Sequence, residues 1–238
     1  MARHPLPRGT VDFHTHILPI DHGSRDTAMA AAQMRLLQEA GLSAVVATPH
    51  FYAHSEKAVA DFIARRDAAA RDLLAAVWED APTLYLGAEV LVTRGLSEME
   101  DLPQLAIRGT DVILLEMPLG GWSDGHLREV ERIASRGLVP MLAHLDRYPI
   151  PWLESLYDDP RYLYQVNLGG LLGIGARARY FRRMLAAGAV AALGSDLHGL
   201  PSAGYRRYLK ALSRAGDALL TVNEHTAEIL ATATPAEK

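Results

Sequence analysis

Val11-Asp12-Phe13-His14-Thr15-His16 is a short apolar, strand-like stretch that ends in two imidazoles. Six further stretches repeat the design: Ala44–His50, Leu84–Glu89, Val112–Glu116, Met141–His144, Tyr164–Asn167 and Val190–His198. Each is rich in Val, Leu and Ala, and nearly every one closes on His, Glu, Asn or Asp. Helical periodicity fills the gaps between them. Residues 25–40 place Met29, Ala32, Leu36, Leu37 and Ala40 on one face, and residues 57–79 do so with Val59, Phe62, Ile63, Leu73, Leu74, Val77 and Trp78. Residues 126–136, 177–187 and 204–214 follow, and Asn223 is the expected N-cap of a last helix through Leu230. Strands alternating with helices predict parallel strands joined by crossovers. An open sheet would gather its site at one switch point. Polar ends on every strand require one shared centre, so a closed or nearly closed barrel of seven strands is the predicted α/β fold, with the site on its carboxyl rim.

The bulk properties narrow the function classes. The chain has 238 residues, 49% of them hydrophobic, which suffices for one large core. We find no linker and no low-complexity stretch, so residues 1–238 are read as a single domain whose tail from Thr232 frays. A net charge of −4 and a pI near 6.2 exclude the basic footprint of a nucleic-acid binder. With no Cys there is no disulfide framework, thiolate metal site or cysteine nucleophile. Neither an apolar signal core nor a run long enough to insert into a membrane is present, so a soluble, cytoplasmic protein is expected.

His14 and His16 stand two apart on one strand, so their side chains project to the same side. Glu89 and Glu116 end very apolar strands, where a carboxylate is costly unless paired or bound to a cation. His144 and Asp196 end two more. Imidazole and carboxylate without thiolate suit Mn, Fe or Zn better than Ca or Mg. Six or more such groups exceed what one tetrahedral ion takes, so a cluster of two or three divalent ions is expected, a Glu bridging a pair about 3.5–4 Å apart. Arg147 lies just beyond a ligand strand, where a guanidinium either clamps a phosphate or pairs with Asp146. Asn167 either bonds substrate or caps a strand.

As an ordered set, Asp12-Phe13-His14-Thr15-His16, Ala47-Thr48-Pro49-His50, Gly87-Ala88-Glu89-Val90, Leu115-Glu116, Ala143-His144-Leu145-Asp146-Arg147-Tyr148, Gln165-Val166-Asn167 and Gly194-Ser195-Asp196-Leu197-His198 resemble the PHP (polymerase and histidinol phosphatase) superfamily. Within it the chain looks most like the manganese-dependent protein-tyrosine phosphatases of bacterial capsule and exopolysaccharide operons. The resemblance implies a distorted seven-stranded (β/α)7 TIM-like barrel holding three metals, manganese first among the candidates. By position, His14, His16, Glu89 and Asp196 would hold one ion. Glu89, Glu116 and His144 would hold a second. His50, His198 and a residue of the Asp21-His22-Gly23 turn, His22 being the candidate, would hold a third. A metal-held hydroxide would attack phosphorus while Arg147 holds the phosphoryl oxygens. Arg147, Asp196 and His198 are then the catalytic residues, and Arg147, Asn167 and Arg206 those that bind substrate.

Two departures from the family pattern stand out. His22 occupies a position where the family usually carries Asp, in a turn one residue shorter. The Arg that follows the final Asp-x-His in the capsule-type enzymes is missing from Gly199-Leu200-Pro201-Ser202-Ala203, which leaves Arg206 or Arg207 in its place, or no substitute at all. The expected substrate is a phosphotyrosine tail of a regulatory kinase. The alternatives are a small phosphomonoester, as for histidinol phosphatase, and a non-catalytic regulator. An amidohydrolase also begins with His-x-His, but it often bridges its metals with a Lys at a strand end, and Lys57, Lys210 and Lys238 end none.

Overall fold

The computed structural model describes residues 9–154, 156, 160–199 and 202–237, without the side chains of residues 56, 202–207 and 209. Nine strands are present among these residues: β1 (Val11–Thr15), β2 (Ala44–Ala47), β3 (His50–Phe51), β4 (Thr83–Leu86), β5 (Glu89–Leu91), β6 (Val112–Glu116), β7 (Val139–Leu142), β8 (Leu163–Asn167) and β9 (Ala192–Gly194). All pairings are parallel, in two sheets of order β1-β2-β4 and β3-β5-β6-β7-β8-β9. The expected count of seven is therefore corrected to nine. Two of the seven stretches are each broken in two, at Thr48-Pro49 and at Gly87-Ala88. Proline has no N–H to give to a ladder, and glycine marks a break or a close approach. The breaks are bridged by single bonds, from Gly87 N to Ala47 O (2.9 Å) and from Glu89 N to Pro49 O (3.0 Å). The last and first strands are joined at their carboxyl ends by Asp196 N to His14 O (2.8 Å) and an isolated bridge between His16 and His198.

The helices are α1 (Thr27–Glu39), α2 (Glu56–Ala76), α3 (Asp124–Ser135), α4 (Ile150–Leu153), α5 (Ala176–Ala186), α6 (Ser202–Ala215) and α7 (Ala218–Leu230). Asp26 caps α1 through Met29 N, and Ser55 caps α2 through Ala58 N. The buried face of α1 is Ala30, Gln33, Met34 and Leu37; of the predicted face it keeps Leu37, while Met29, Leu36 and Ala40 are half-buried and Ala32 is exposed. Gln33 turns inward because it bonds Thr15 Oγ1 and Ser24 Oγ. Asn223 is no cap: it lies within α7, and its side-chain amide donates to Thr10 Oγ1. The tail does not fray either, since Thr234 N donates to Arg108 O and Ala236 N to Leu84 O, both at 2.8 Å.

Strands covered on both faces read as unbroken apolar runs, and β2 and β6 are buried at every residue. One cluster joins strands to helices. A second gathers Phe13, Val46, Leu114, Met141 and Ala192 from five different strands. Side chains from strands so far apart in sheet order meet only in the space that the strands enclose. No helix among the described residues is long and apolar enough to cross a membrane.

Candidate metal centre

The polar residues at the strand ends converge. Glu89, at the first residue of β5, is fully buried and forms the hub. Its Oε2 lies 3.3 Å from His14 Nε2, 3.2 Å from His16 Nε2 and 3.0 Å from His50 Nδ1. Its Oε1 lies 2.8 Å from His144 Nε2, which is 3.5 Å from Glu116 Oε1. Asp196 Oδ1 approaches His16 Nε2 at 3.4 Å and His14 Nε2 at 3.8 Å. His198 stacks on His16 with ring centroids 4.0 Å apart. His22 is exposed and stacks on His198 (4.4 Å) and His50 (4.8 Å).

His14, His16 and Glu89 form one set of ligand atoms lying within 4.8 Å of one another, as do His50, Glu89 and Glu116, and His16, His50 and His198. His144 is outside these sets although it touches two of their members, and so is His22.

Donors in this centre point at one another. His14 Nε2, His16 Nε2, His50 Nδ1, Glu89 Oε2, Asp196 Oδ1 and His198 Nε2 are buried and have no hydrogen-bond partner. Unpaired buried polar atoms are rare and costly. Six of them facing one small space fit a group of cations: the borderline imidazoles and hard carboxylates are the donors that Mn, Fe or Zn takes.

The outward nitrogens are anchored. His14 Nδ1 faces Gln165 Oε1 (3.2 Å) and His16 Nδ1 faces Asp21 Oδ2 (2.7 Å), so both rings aim Nε2 inward. Gln165 Oε1 also accepts from His144 N, and Gln165 Nε2 donates to Asn167 Oδ1. Asn167 Nδ2 donates to Asp196 Oδ2 (2.8 Å), which also pairs with Arg147 Nη2. Arg147 thus pairs with Asp196, not Asp146. Asp146 instead accepts from Asn167 N and packs against Gly170, where a Cβ would fall 2.3 Å from its own. His144 (φ 33°) and Asp196 (φ 51°) are the only non-glycine residues at positive φ among those described. Such backbone costs about 1–3 kcal/mol each and gathers at functional sites. The side chains of Arg206 and Arg207 lie outside the described residues. Asp21, Gln165 and Asp12 stood in the quoted motifs, but the sequence assigned none of them its supporting role; Asp12 Oδ1 accepts from Ser195 N, beside Asp196. A buried polar residue inside an apolar strand was the available signal for Gln165 and Asp12.

Charge follows this geometry. Burial opposes ionisation of Glu89, but His14, His144 and His16 outweigh it and hold the carboxyl well below its usual range. Asp196 is likewise held down, against burial, by His14, His16 and Arg147. Burial works against the charge of His144, yet Glu116 and Glu89 lift it to about 9. His198 is pushed down to about 4 by burial and by the neighbouring His16. Beside the centre, a cavity of about 690 Å³ is lined by Arg147, Asp196, Asn167, Arg177 and the glycines Gly169, Gly170, Gly173 and Gly175.

The comparisons agree with this picture. A family model described as "Capsular polysaccharide synthesis, CpsB/CapC" matches residues 10–207. Tyrosine-protein phosphatase YwqE of Bacillus subtilis (strain 168) is 28% identical over 213 residues, covering 80% of this chain and 78% of that one. A solved structure from the pair YwqE of Bacillus subtilis and CpsB of Streptococcus pneumoniae, described as unique metal-dependent tyrosine phosphatases, superposes with a TM-score of 0.73 at 21% identity, over 96% of this chain and 100% of that one. The phosphotriesterase homology protein of Escherichia coli, solved with phosphate in its active site, superposes at 0.53 with 12% identity, over 94% of this chain and 99% of that one, and shares the fold alone.

Proposed function

The chain belongs to the CpsB/CapC family of capsular polysaccharide synthesis, and we propose that it is a metal-dependent phosphatase that removes phosphate from tyrosine in a protein. The observation that carries this reading is the set of six buried, unpartnered donors aimed into one space. Similarity to a tyrosine-protein phosphatase over most of both chains supports the substrate class. We assign His14, His16, Glu89 and Asp196 to one ion, Glu89, Glu116 and His144 to a second, and His50, His198 and His22 to a third. Manganese is the expected ion, with iron or zinc as alternatives. When bound, the ions supply activation of water and neutralisation of the phosphoryl charge.

The chain's own residues do the rest. Glu89 and Asp196, ionised and buried, keep the centre anionic and ready for cations. Asn167 and Arg147 fix Asp196 from its outer oxygen. Arg147, partly exposed at the cavity edge, has N–H groups left over to hold a phosphoryl oxygen and orient the ester. Phenol has a pKa of about 10, so tyrosine leaves phosphorus more readily than an alkyl alcohol does. Residues 1–238 are read as one phosphatase domain, built on the parallel-stranded α/β fold described above, acting in the cytoplasm on the phosphorylated tail of a tyrosine kinase.

Hydrolysis of p-nitrophenyl phosphate and of a phosphotyrosyl peptide, followed with and without chelator, tests the reading. Activity should depend on added Mn²⁺ and collapse in His14→Ala and Glu89→Gln, with metal content falling in parallel. Turnover that survives chelation, or full activity of Glu89→Gln, would reject it.

A further inference from the structure

Five large apolar side chains are left exposed among the described residues, and four of them stand on the face that carries the metal centre: Tyr52 (53%), Leu119 (52%), Trp152 (36%) and Ile174 (92%). The fifth, Leu220, is on α7. Each of the four comes from a different segment, leaving the carboxyl end of β3, β6, β7 or β8. Those same ends carry His50, Glu116, His144 and Asn167.

Ring contacts tie two of the four to the centre, and chain position places the other two beside it. The Tyr52 ring stacks on His50 with centroids 5.5 Å apart. Trp152 packs edge-on against Trp122 (5.2 Å), which packs on Tyr148 (4.9 Å), itself 5.5 Å from His144. Leu119 belongs to the turn that runs under Trp152, since a Cβ on Gly121 would lie 3.5 Å from that indole. Ile174 sits between Gly173 and Gly175, which line the cavity ending at Arg147 and Asp196.

Single exposed apolar residues are ordinary, but their concentration around a reaction centre marks a surface that meets a partner. The occupant is constrained by what lies in the middle. Its phosphoryl group must reach Arg147 and Asp196, so one residue fills the cavity and its chain neighbours pass over the rim. An extended chain advances about 3.3 Å per residue, so the residues next to the phosphorylated one are those that meet it. A small polar phosphate ester would fill the cavity and leave the rim wet. We propose that this rim binds the polypeptide on both sides of the phosphotyrosine and selects segments with apolar or aromatic residues flanking it. The proposal rests on the phosphatase reading above.

The test compares two fluorescein-labelled phosphotyrosyl peptides of equal length and charge, one flanked by Leu and Phe, the other by Ser and Gly. Binding to the full-length, metal-loaded protein on ice is read by fluorescence anisotropy in the first seconds, and hydrolysis is read separately against p-nitrophenyl phosphate. The apolar-flanked peptide should bind about tenfold more tightly per side chain seated. In Leu119→Ser/Ile174→Ser that preference should collapse, and peptide kcat/KM should fall about tenfold relative to that for p-nitrophenyl phosphate. Equal affinity for the two peptides, or a preference that survives the double variant, overturns the proposal. So does a change of oligomeric state in the variant with peptide preference intact, which would give the rim to a second copy of the chain. Loss of the phosphatase reading has another signature: no metal-dependent hydrolysis of p-nitrophenyl phosphate by the wild type, whatever the peptides do.

Discussion

Asp21 is the least expected of the residues that shape the centre, because it offers no atom to it. Its Oδ2 lies 2.7 Å from His16 Nδ1 and accepts from His50 N, and its Oδ1 accepts from Gly23 N. Although burial works against its charge, His16 and these amide donors hold its carboxyl below the usual range. Both oxygens are committed, so Asp21 orients one imidazole and the loop of another. Replacing such a partner costs about 10–100-fold in metal affinity. Asp21→Asn should show that loss in metal titrations while the fold, followed by circular dichroism, is kept; unchanged affinity would strip Asp21 of the role. His144 makes a second prediction at this scale. Its imidazole ordinarily titrates near 6.5, and in the metal-free protein it is lifted to about 9 by Glu116 and Glu89, against burial. A raised folded pKa gives stability that is full below about 6.5 and is lost as pH climbs through about 9. A cation on the same nitrogen replaces the proton. Chelator-treated protein should therefore lose Tm between pH 6.5 and 9, while Mn-loaded protein should not. Parallel Tm curves would refute the linkage.

At the scale of elements, the strand ends were legible because strands buried on both faces leave polar residues nowhere to sit but the rim. The nine residues predicted to bind metal do gather at one rim, His22 at its exposed edge. Other features were hidden because they depend on partners distant in sequence. Asn223 has the side chain of a cap, yet it spends its amide on Thr10. Gln33 is polar and stood outside the predicted apolar face of α1, yet it is buried and bonded to Thr15 and Ser24. The breaks within two strands were foreshadowed by Pro49 and Gly87, but a continuous apolar run masked them. The segment after β7 shows how one element holds another in place. Arg177, on α5, donates through Nε to Asp146 O (2.9 Å) and through Nη2 to Tyr148 O (2.6 Å), on either side of Arg147. Hydrogen bonds from a charged donor contribute about 1.5–3 kcal/mol. Arg177→Ala should lower stability by about that much and raise KM for phosphotyrosyl peptide severalfold by loosening Arg147. A drop in Tm with KM unmoved would confine Arg177 to a structural role.

For the whole molecule, the question is what closes the end of the strand assembly opposite the metal centre. The enclosed cluster of Phe13, Val46, Leu114, Met141 and Ala192 is bordered by Val11, Tyr85, Val139 and Leu163 and then by Ile229, Leu230 and Ala233 from the end of the chain. Beyond α7 the tail runs back as a strap. Thr234 N and Ala236 N each bond a carbonyl near β4, and Gly109 admits the crossing because a Cβ there would lie 2.7 Å from Thr232 O. Gly109 is at φ +85°, so any side chain there meets both a strained backbone and a collision. Two hydrogen bonds and the partial cover of an apolar floor together stabilise by about 1–3 kcal/mol. A chain ending at Ala231 should unfold roughly 2–12 °C lower, given about 2–4 °C per kcal/mol for a protein of this size. The metal centre is at the far end of the same strands, so the truncated protein, assayed well below its Tm, should keep its metal content and its turnover per folded molecule. A truncated protein with unchanged Tm would show that the strap carries no stability. One that folds normally but has lost its metals would show that floor and rim are mechanically joined through the core.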